Sequence, residues 1–210
     1  MDKFIVTISR EFGSGGRLIG EELAKRLGVP FYDKAIIQMA AEKSGMSYDF
    51  IEKNEEKSSG APIFNIPITA TFAGYTAMGY IDTPVNDKTF LAQAEVIREI
   101  AKSSCVIVGR CADYILREEP GLVRVFIAGR LEDRIRRAIE KYNFPEDGAQ
   151  EKIRKIDKSR ANYYRYYTDQ SWGSVHNYDI TLNTSFTGID GAVEVLLTLL
   201  KSKGVTPQNP

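Results

Sequence analysis

Apolar and β-branched residues in this chain fall in short runs separated by longer stretches of helical period. The run at 4–9, FIVTIS, leads into a glycine-rich turn. Leu18, Ile19, Leu23 and Leu27 then recur at helical spacing, and Gly28 and Pro30 close the pattern. This predicts strand, loop, helix. PFYD, ending at Asp33, predicts a second strand, and helices follow over 34–44 and 47–57, the latter with Ser47 as N-cap. Phe90, Leu91, Ala94, Ile97 and Ala101 mark another helix, with CVIVG and VRVFIAG as further strands. A basic helical stretch spans about 130–167, DITLN gives a last strand, and 189–202 a last amphipathic helix. Residues 58–86, rich in Gly, Pro, Thr and aromatics without a period, read as an irregular insertion, and 204–210 as a disordered tail.

Strands alternating with helices imply an α/β fold, a parallel sheet covered on both faces, in which ligands sit beyond the carboxyl ends of the strands. That rule selects the loops at 10–17, at Asp33, at 109–113 and at 129–134. The length of 210 residues suits one principal domain, taken as 1–203. Lys and Arg number 28 and so do Asp and Glu, so net charge nominates no nucleic-acid partner. Apolar runs stay short of the ~18 residues that span a bilayer, and the first residues lack the features of a secretory signal. A cytoplasmic protein is expected, with no membrane partner. Cys105 and Cys111 are expected as free thiols, and a single histidine, His176, makes a Cys/His metal site improbable.

The sequence ISREFGSGG places Gly13, Ser14, Gly15 and Gly16 between strand and helix. Residues without a Cβ there let successive amides point inward while the helix N-terminus adds partial positive charge, so the loop suits a phosphate. A turn that merely connects strand to helix is the plainer reading. Against the pattern G-x-x-x-x-G-K-[ST], Glu11 replaces the first glycine, Arg17 the lysine and Leu18 the hydroxyl that usually meets Mg2+. Arginine lacks lysine's compact charge, but its planar fork can hold two phosphate oxygens. Ser14 or Ser9 is a candidate for the vacated hydroxyl role.

Drawn as a helix, residues 151–167 put Ile153, Ile156, Tyr163 and Tyr167 on one face, with Arg160 among them. A guanidinium in an apolar stripe needs an anion, either Asp157 three residues earlier or a phosphate in a cleft. Residues 130–167 hold eleven basic side chains against seven acidic ones, a composition suited to a lid that neutralises a transferring phosphoryl group. Arg110 leaves the end of CVIVG with Asp113 one turn behind, either as an anion site or as a strand-end ion pair. Asp33 fits three roles: orienting Arg17, orienting a metal-bound water, or capping the next helix. The tyrosines of 163–167 read as packing.

In order, ISREFGSGGRLIGEELAKRL, FYDKAII, VIVGRCADYIL and KIDKSRANYYRYYT ahead of YDITLN resemble the cytidylate kinase-like family of P-loop nucleoside monophosphate kinase relatives. The resemblance implies a three-layer P-loop kinase-like fold with five central parallel strands, a helical lid at about 141–170 and an acceptor-binding insertion. It implies ATP and Mg2+ as donor, with CMP or dCMP as acceptor. By position, Gly13 to Arg17 correspond to the ATP phosphate cradle, and Asp33, Arg110 and Asp113 to the acceptor site. Arg130, Asp157, Lys158 and Arg160 correspond to the lid, and Arg17, Arg134 and Arg160 are the catalytic candidates. The metal ligands stay unassigned. The chain departs from the family at GGRL, which replaces the lysine end of the loop, and at Cys111, which replaces the carboxylate of GRD. A kinase for another small molecule and a nucleotide-binding regulatory protein without transfer remain open alternatives. The small and aromatic residues of ITATFAGYTAMGY suit either a homodimer contact or an arm packed on its own core.

Overall fold

A computed structural model of the chain describes residues 3–54 and 85–205. The described elements run β1 Ile5–Arg10, α1 Gly16–Leu27, β2 Phe31–Tyr32, α2 Ala35–Ser44 and α3 Tyr48–Asn54, then α4 Val85–Ile100 and β3 Cys105–Val108. They continue with α5 Ala112–Ile115, β4 Leu122–Ala128, α6 Leu131–Tyr142, α7 Ala149–Thr168, β5 Ile180–Asn183 and α8 Thr184–Ser202. The five strands lie in the order β2-β3-β1-β4-β5. All pairings are parallel, β1 at the centre registering Ile5 with Cys105 on one side and with Leu122 on the other. This is the covered parallel sheet that the alternating pattern implied, with the five strands that the family resemblance implied.

Alternation of side chains along each strand divides the core in two. Ile5, Cys105 and Ile107 face a layer made with Ile36, Ile37, Phe90, Ile97, Tyr163 and Tyr167 from α2, α4 and α7. Val6, Ile8, Val106, Val108, Val125 and Ile127 face α1 and α8 through Ile19, Leu23, Leu27 and Leu196. Both faces of the central strands are therefore apolar, and their sequences read as continuous rather than alternating runs. The tyrosines of α7 are packing residues as expected: Tyr167 stacks on Phe90 at 3.9 Å between centroids and donates from its hydroxyl to Asp87 at 2.9 Å. Cys105 and Cys111 are free and buried.

Several boundaries differ from expectation. The basic stretch 130–167 is two helices, because Asn143 takes a left-handed conformation (φ 50°) at the end of α6 and Pro145 cannot continue the hydrogen-bond ladder. α8 starts at Thr184 rather than 189, capped by Asn183, whose side chain accepts from Ser185 N, and it kinks at Gly188. Val205, expected in a disordered tail, is buried against the α1 and α8 layer with its amide on Leu200 O at 3.0 Å. Most of the insertion at 58–86, the helix end beyond Asn54 and the tail from 206 lie outside the described residues.

Asp113 is not where a ligand-binding carboxylate is expected. It is 3% exposed on α5 and accepts a hydrogen bond from Tyr164 Oη on α7 at 2.7 Å, joining the two helices beneath the site. The short α5 turns it inward rather than toward the strand ends. Burial pushes its carboxyl up to about 6, against the opposing pull of the Tyr164 hydroxyl. A carboxyl that titrates higher when folded than when unfolded stabilises the fold below its ordinary value of 3.8 and loses that contribution as pH rises through about 6. Relative to Asp113→Asn, the native chain is expected to lose about 2–3 kcal/mol of unfolding free energy between pH 4 and pH 7. Urea titrations of both chains at the two pH values measure this, and parallel pH dependences would contradict it.

Candidate active site

The loop between β1 and α1 holds its shape because other elements occupy its carbonyl oxygens. Arg134 of α6 donates from Nε to Phe12 O at 2.8 Å, and Arg137 from Nη1 to Gly13 O at 2.6 Å. Thr184, just past β5, donates from its hydroxyl to Ser14 O at 2.7 Å. The Ser14 amide is taken by Glu11 O at 3.2 Å, while the amides that open α1 have no intrahelical acceptors by helix geometry. Two glycines are obligatory. Gly13 (φ 74°) and Gly15 (φ 87°) are left-handed, and a Cβ on either would run into the Arg134 carbonyl or the Ile189 side chain, respectively.

Arg134 itself is 5% exposed and lies beneath the loop. It pairs with Asp157 of α7 and with Glu11 Oε2, the latter at 3.3 Å, while Asp157 Oδ1 accepts from Phe12 N at 2.8 Å. Glu11 Oε2 also accepts from Gly129 N at 3.0 Å. Burial raises the Glu11 carboxyl above its ordinary value, while the Gly129 amide and Arg134 pull it down. Arg134, a catalytic candidate in the sequence, is thus a positioning residue for the loop. Asp157 is engaged with Phe12 and Arg134, and the first-glycine position is filled by Glu11, which does the tying that a glycine cannot.

A cleft of about 410 Å3 opens in front of the loop, lined by Arg10, Arg17, Asp33, Arg110 and Arg160 among others. Arg160 projects from α7, donates to Arg10 O at 3.3 Å and sits over the Phe12 ring at 5.7 Å. It therefore meets the cleft, as the anion reading of its helical position requires. Arg17 is half-exposed and pairs with Glu21 at 3.1 Å and with Asp33 at 3.3 Å. Of the roles open to Asp33, orienting Arg17 is the one the contacts display; α2 begins without a side-chain cap. Exposed pairs of this kind are worth at most about 1 kcal/mol, so the Arg17 guanidinium can be exchanged to a stronger anion at little cost. Arg110 is buried at the end of β3, donating from Nε to Asp33 O and from Nη1 to Gln93 Oε1, both at 3.3 Å.

Arg130 and Lys158, read as lid residues, are exposed. The later part of the stretch read as a lid, from Tyr163, belongs to the core. Ser14 cannot serve as a metal-side hydroxyl in this arrangement, because it is fully buried and donates to Glu11 O at 2.8 Å. Among the described residues there is no group of three or more His, Cys, Asp or Glu able to hold a metal ion.

Arg10, at the very end of β1, lies in the 10–17 loop that the strand-end rule selected, without a role assigned to it there. Other contributors were missed in the sequence: Thr184 lies past β5, the one strand whose carboxyl end the strand-end rule was not applied to. Arg137 and Gln93 carried no sequence signal, since each is one polar residue within an amphipathic helix. Among the described residues no helix is long and apolar enough to cross a membrane.

Comparison with known proteins places this geometry. A search of curated proteins finds no match. Among solved structures, an uncharacterized protein from Eubacterium ventriosum is similar, with 29% identity and a TM-score of 0.72 over 96% of this chain and 99% of that one. A sugar kinase from Janibacter sp. shares the fold at 15% identity, with a TM-score of 0.55 over 99% of this chain and all of that one (100%). A shikimate kinase from Bacteroides thetaiotaomicron does so at 14% identity, with a TM-score of 0.54 over 95% and 99%. The sequence profile of the cytidylate kinase-like family matches residues 5–186, which include the loop, the strand-end arginines and Arg160, and the chain belongs to that family.

Proposed function

We propose that the protein is an ATP-dependent kinase that transfers a phosphoryl group to a small phosphorylated acceptor, with CMP or dCMP the first candidate. The observation that carries this reading is the convergence of Arg10, Arg17, Arg110 and Arg160 on a cleft that is also lined by Gly13, Gly15 and Gly16 of the loop ahead of α1. Family membership supports it. In this reading the β- and γ-phosphates lie against the amides of Gly13 to Arg17. Arg17 leaves Asp33 and Glu21 for the polyphosphate, replacing the lysine of related loops. Asp33, which lines the cleft, would be the carboxylate to hold a nucleotide-bound Mg2+ through water, and the ion would supply charge neutralisation of the phosphates.

An oxygen of the acceptor's phosphate attacks the γ-phosphorus, the bond to the β–γ bridging oxygen breaks, and ADP leaves carrying that electron pair. A phosphate oxygen already bears charge and needs no general base, which agrees with a site whose carboxylates, Asp33 and Glu11, are both engaged by arginines. Arg160 and Arg10 offset the charge spread over the transferring group. A second reading, transfer to a hydroxyl of another small molecule, is favoured by one observation: Asp33 lines the cleft and would be released to act as base once Arg17 moved to the nucleotide. A regulatory protein that binds nucleotide without transfer is the third.

Incubation with ATP, Mg2+ and a panel of nucleoside monophosphates and sugars, following ADP, separates these readings. Turnover with CMP or dCMP is expected; turnover only with an unphosphorylated acceptor selects the second, and ATP binding without ADP from any acceptor selects the third. Arg160→Ala is expected to lower kcat by about 10²–10³-fold with ATP affinity little changed. Unaltered turnover in that variant would remove Arg160 from the reaction. Gly13→Ala is expected to weaken ATP binding at least ~10-fold by calorimetry, because the new Cβ displaces the Arg134 carbonyl and turns the loop amides away. ATP affinity equal to the native chain's would show that the cradle is elsewhere.

A further inference from the structure

Arg10 stands on the border between two cavities. The 410 Å3 cleft is lined by the loop glycines ahead of α1, a second cavity of about 30 Å3 by Gly109, Cys111 and Trp172, and both by Arg10, Arg110 and Arg160. Of these three arginines, Arg10 is the one whose stem starts against the loop. A Cβ on Gly16 would stand 2.6 Å from Arg10 Cβ and 3.1 Å from its Cγ, and a Cβ on Gly109 would stand 2.5 Å from its Nη1 and 3.0 Å from its Cζ. The half-buried side chain therefore runs from the start of α1 to the end of β3, with its guanidinium lying against Gly109. Gly16 lies within α1, so its missing Cβ answers to packing; Gly109 (φ 78°) meets a demand of the backbone as well. Contacts with the two glycines use none of the guanidinium's N–H donors.

We infer that Gly109 is a positioning residue for Arg10, and that Arg10 so placed is the cation that meets the terminal phosphoryl group of a polyphosphate on the loop, setting a preference for triphosphate over diphosphate. Phosphates lying on the amides that open α1 have the Arg10 stem beside them, through its contact with Gly16. The tip of the same side chain lies at the second cavity, toward Arg110 and away from the loop. The phosphate that reaches it is therefore the outermost one. Arg17 serves the other end: it leaves the first turn of α1 in exposed pairs with Glu21 and Asp33 and is the exchangeable cation of the two. A long side chain that must be ordered by its ligand weakens binding, whereas one already lying in a groove has lost that freedom on folding. The missing Cβ of Gly109 is what makes the groove. The inference deepens the reading of the loop as the donor phosphate site and rests on it, but requires no phosphoryl transfer.

Calorimetric titration of the full chain with ATP and ADP, and with tripolyphosphate and pyrophosphate to remove the nucleoside, reads the preference as a ratio of affinities. The native chain is expected to favour the triphosphate about tenfold, and Arg10→Ala to bring the ratio near one. Arg10→Lys, which keeps the charge without the planar group, should retain only part of it. Gly109→Asn tests the positioning. Asparagine accepts left-handed backbone more readily than most side chains, so strain stays small, yet its Cβ takes the place of the guanidinium. It should lower the ratio as far as Arg10→Ala does, and the double variant should lower it no further. A glycine that served the backbone alone would leave the ratio native in Gly109→Asn, and that result overturns the positioning role. A native ratio in Arg10→Ala, or a native chain that binds triphosphate and diphosphate alike, overturns the whole inference, whether or not Gly109→Asn folds. Should the chain form ADP with an acceptor while Arg10→Ala keeps the native ratio, this inference falls and the kinase reading stands. A ratio that collapses in Arg10→Ala of a chain that never forms ADP retires the kinase reading instead, and a native chain that binds none of the four ligands overturns both.

Discussion

The buried guanidinium of Arg134 is the interaction on which the site depends. A charge so thoroughly removed from water is tolerable only when paired and hydrogen-bonded on all sides, and Arg134 meets Glu11, Asp157 and the Phe12 carbonyl together. Those partners come from β1's end, α7 and the loop, while Arg134 comes from α6. One cation thus fixes where four segments meet. Because it also holds the Phe12 carbonyl, it fixes the loop that leads into α1.

This arrangement explains how the loop departs from its familiar pattern without losing its form. Glu11 stands where related loops have glycine, and its carboxylate supplies both a partner for Arg134 and an acceptor for Gly129 N. Within the loop, left-handed backbone falls at Gly13 and Gly15. Four arginines line the cleft: Arg17, paired with Glu21 and Asp33, Arg10 and Arg110 at and just past the ends of β1 and β3, and Arg160 from α7. α7 serves both core and cleft, its tyrosines packed under α4 and its Arg160 reaching over Phe12. The part of the chain that presents a cationic group to the site is thereby rooted in the hydrophobic layer that stabilises the fold.

Legibility in the sequence followed the range of the interaction responsible. Arg160 could be found because a cation among Ile153, Ile156, Tyr163 and Tyr167 violates a local period, and a violation is visible without a structure. Asp113 was misjudged for the converse reason: one turn after Arg110 it looked directed at the same cleft, whereas the short α5 buries it against Tyr164. Arg134 was singled out as a catalytic candidate and is found buried among Phe12, Glu11 and Asp157, since nothing local distinguishes a guanidinium facing a cleft from one beneath a loop. The division of 130–167 was written in Asn143 and Pro145, and the amphipathic pattern on either side concealed it.

The sequence by itself determined the layered α/β architecture, the parallel sheet, the loop between β1 and α1 and the family, because strand runs, helical periods and glycine turns are set by interactions between residues close along the chain. The tertiary structure alone decided which charges are buried in pairs beneath the loop and which line the cleft. Arg134 and Arg160 differ little as residues in amphipathic helices. Their roles diverge because pairing energies depend on distances between segments more than a hundred residues apart, such as Glu11 from Gly129 and Phe12 from Asp157, and no local pattern encodes those distances.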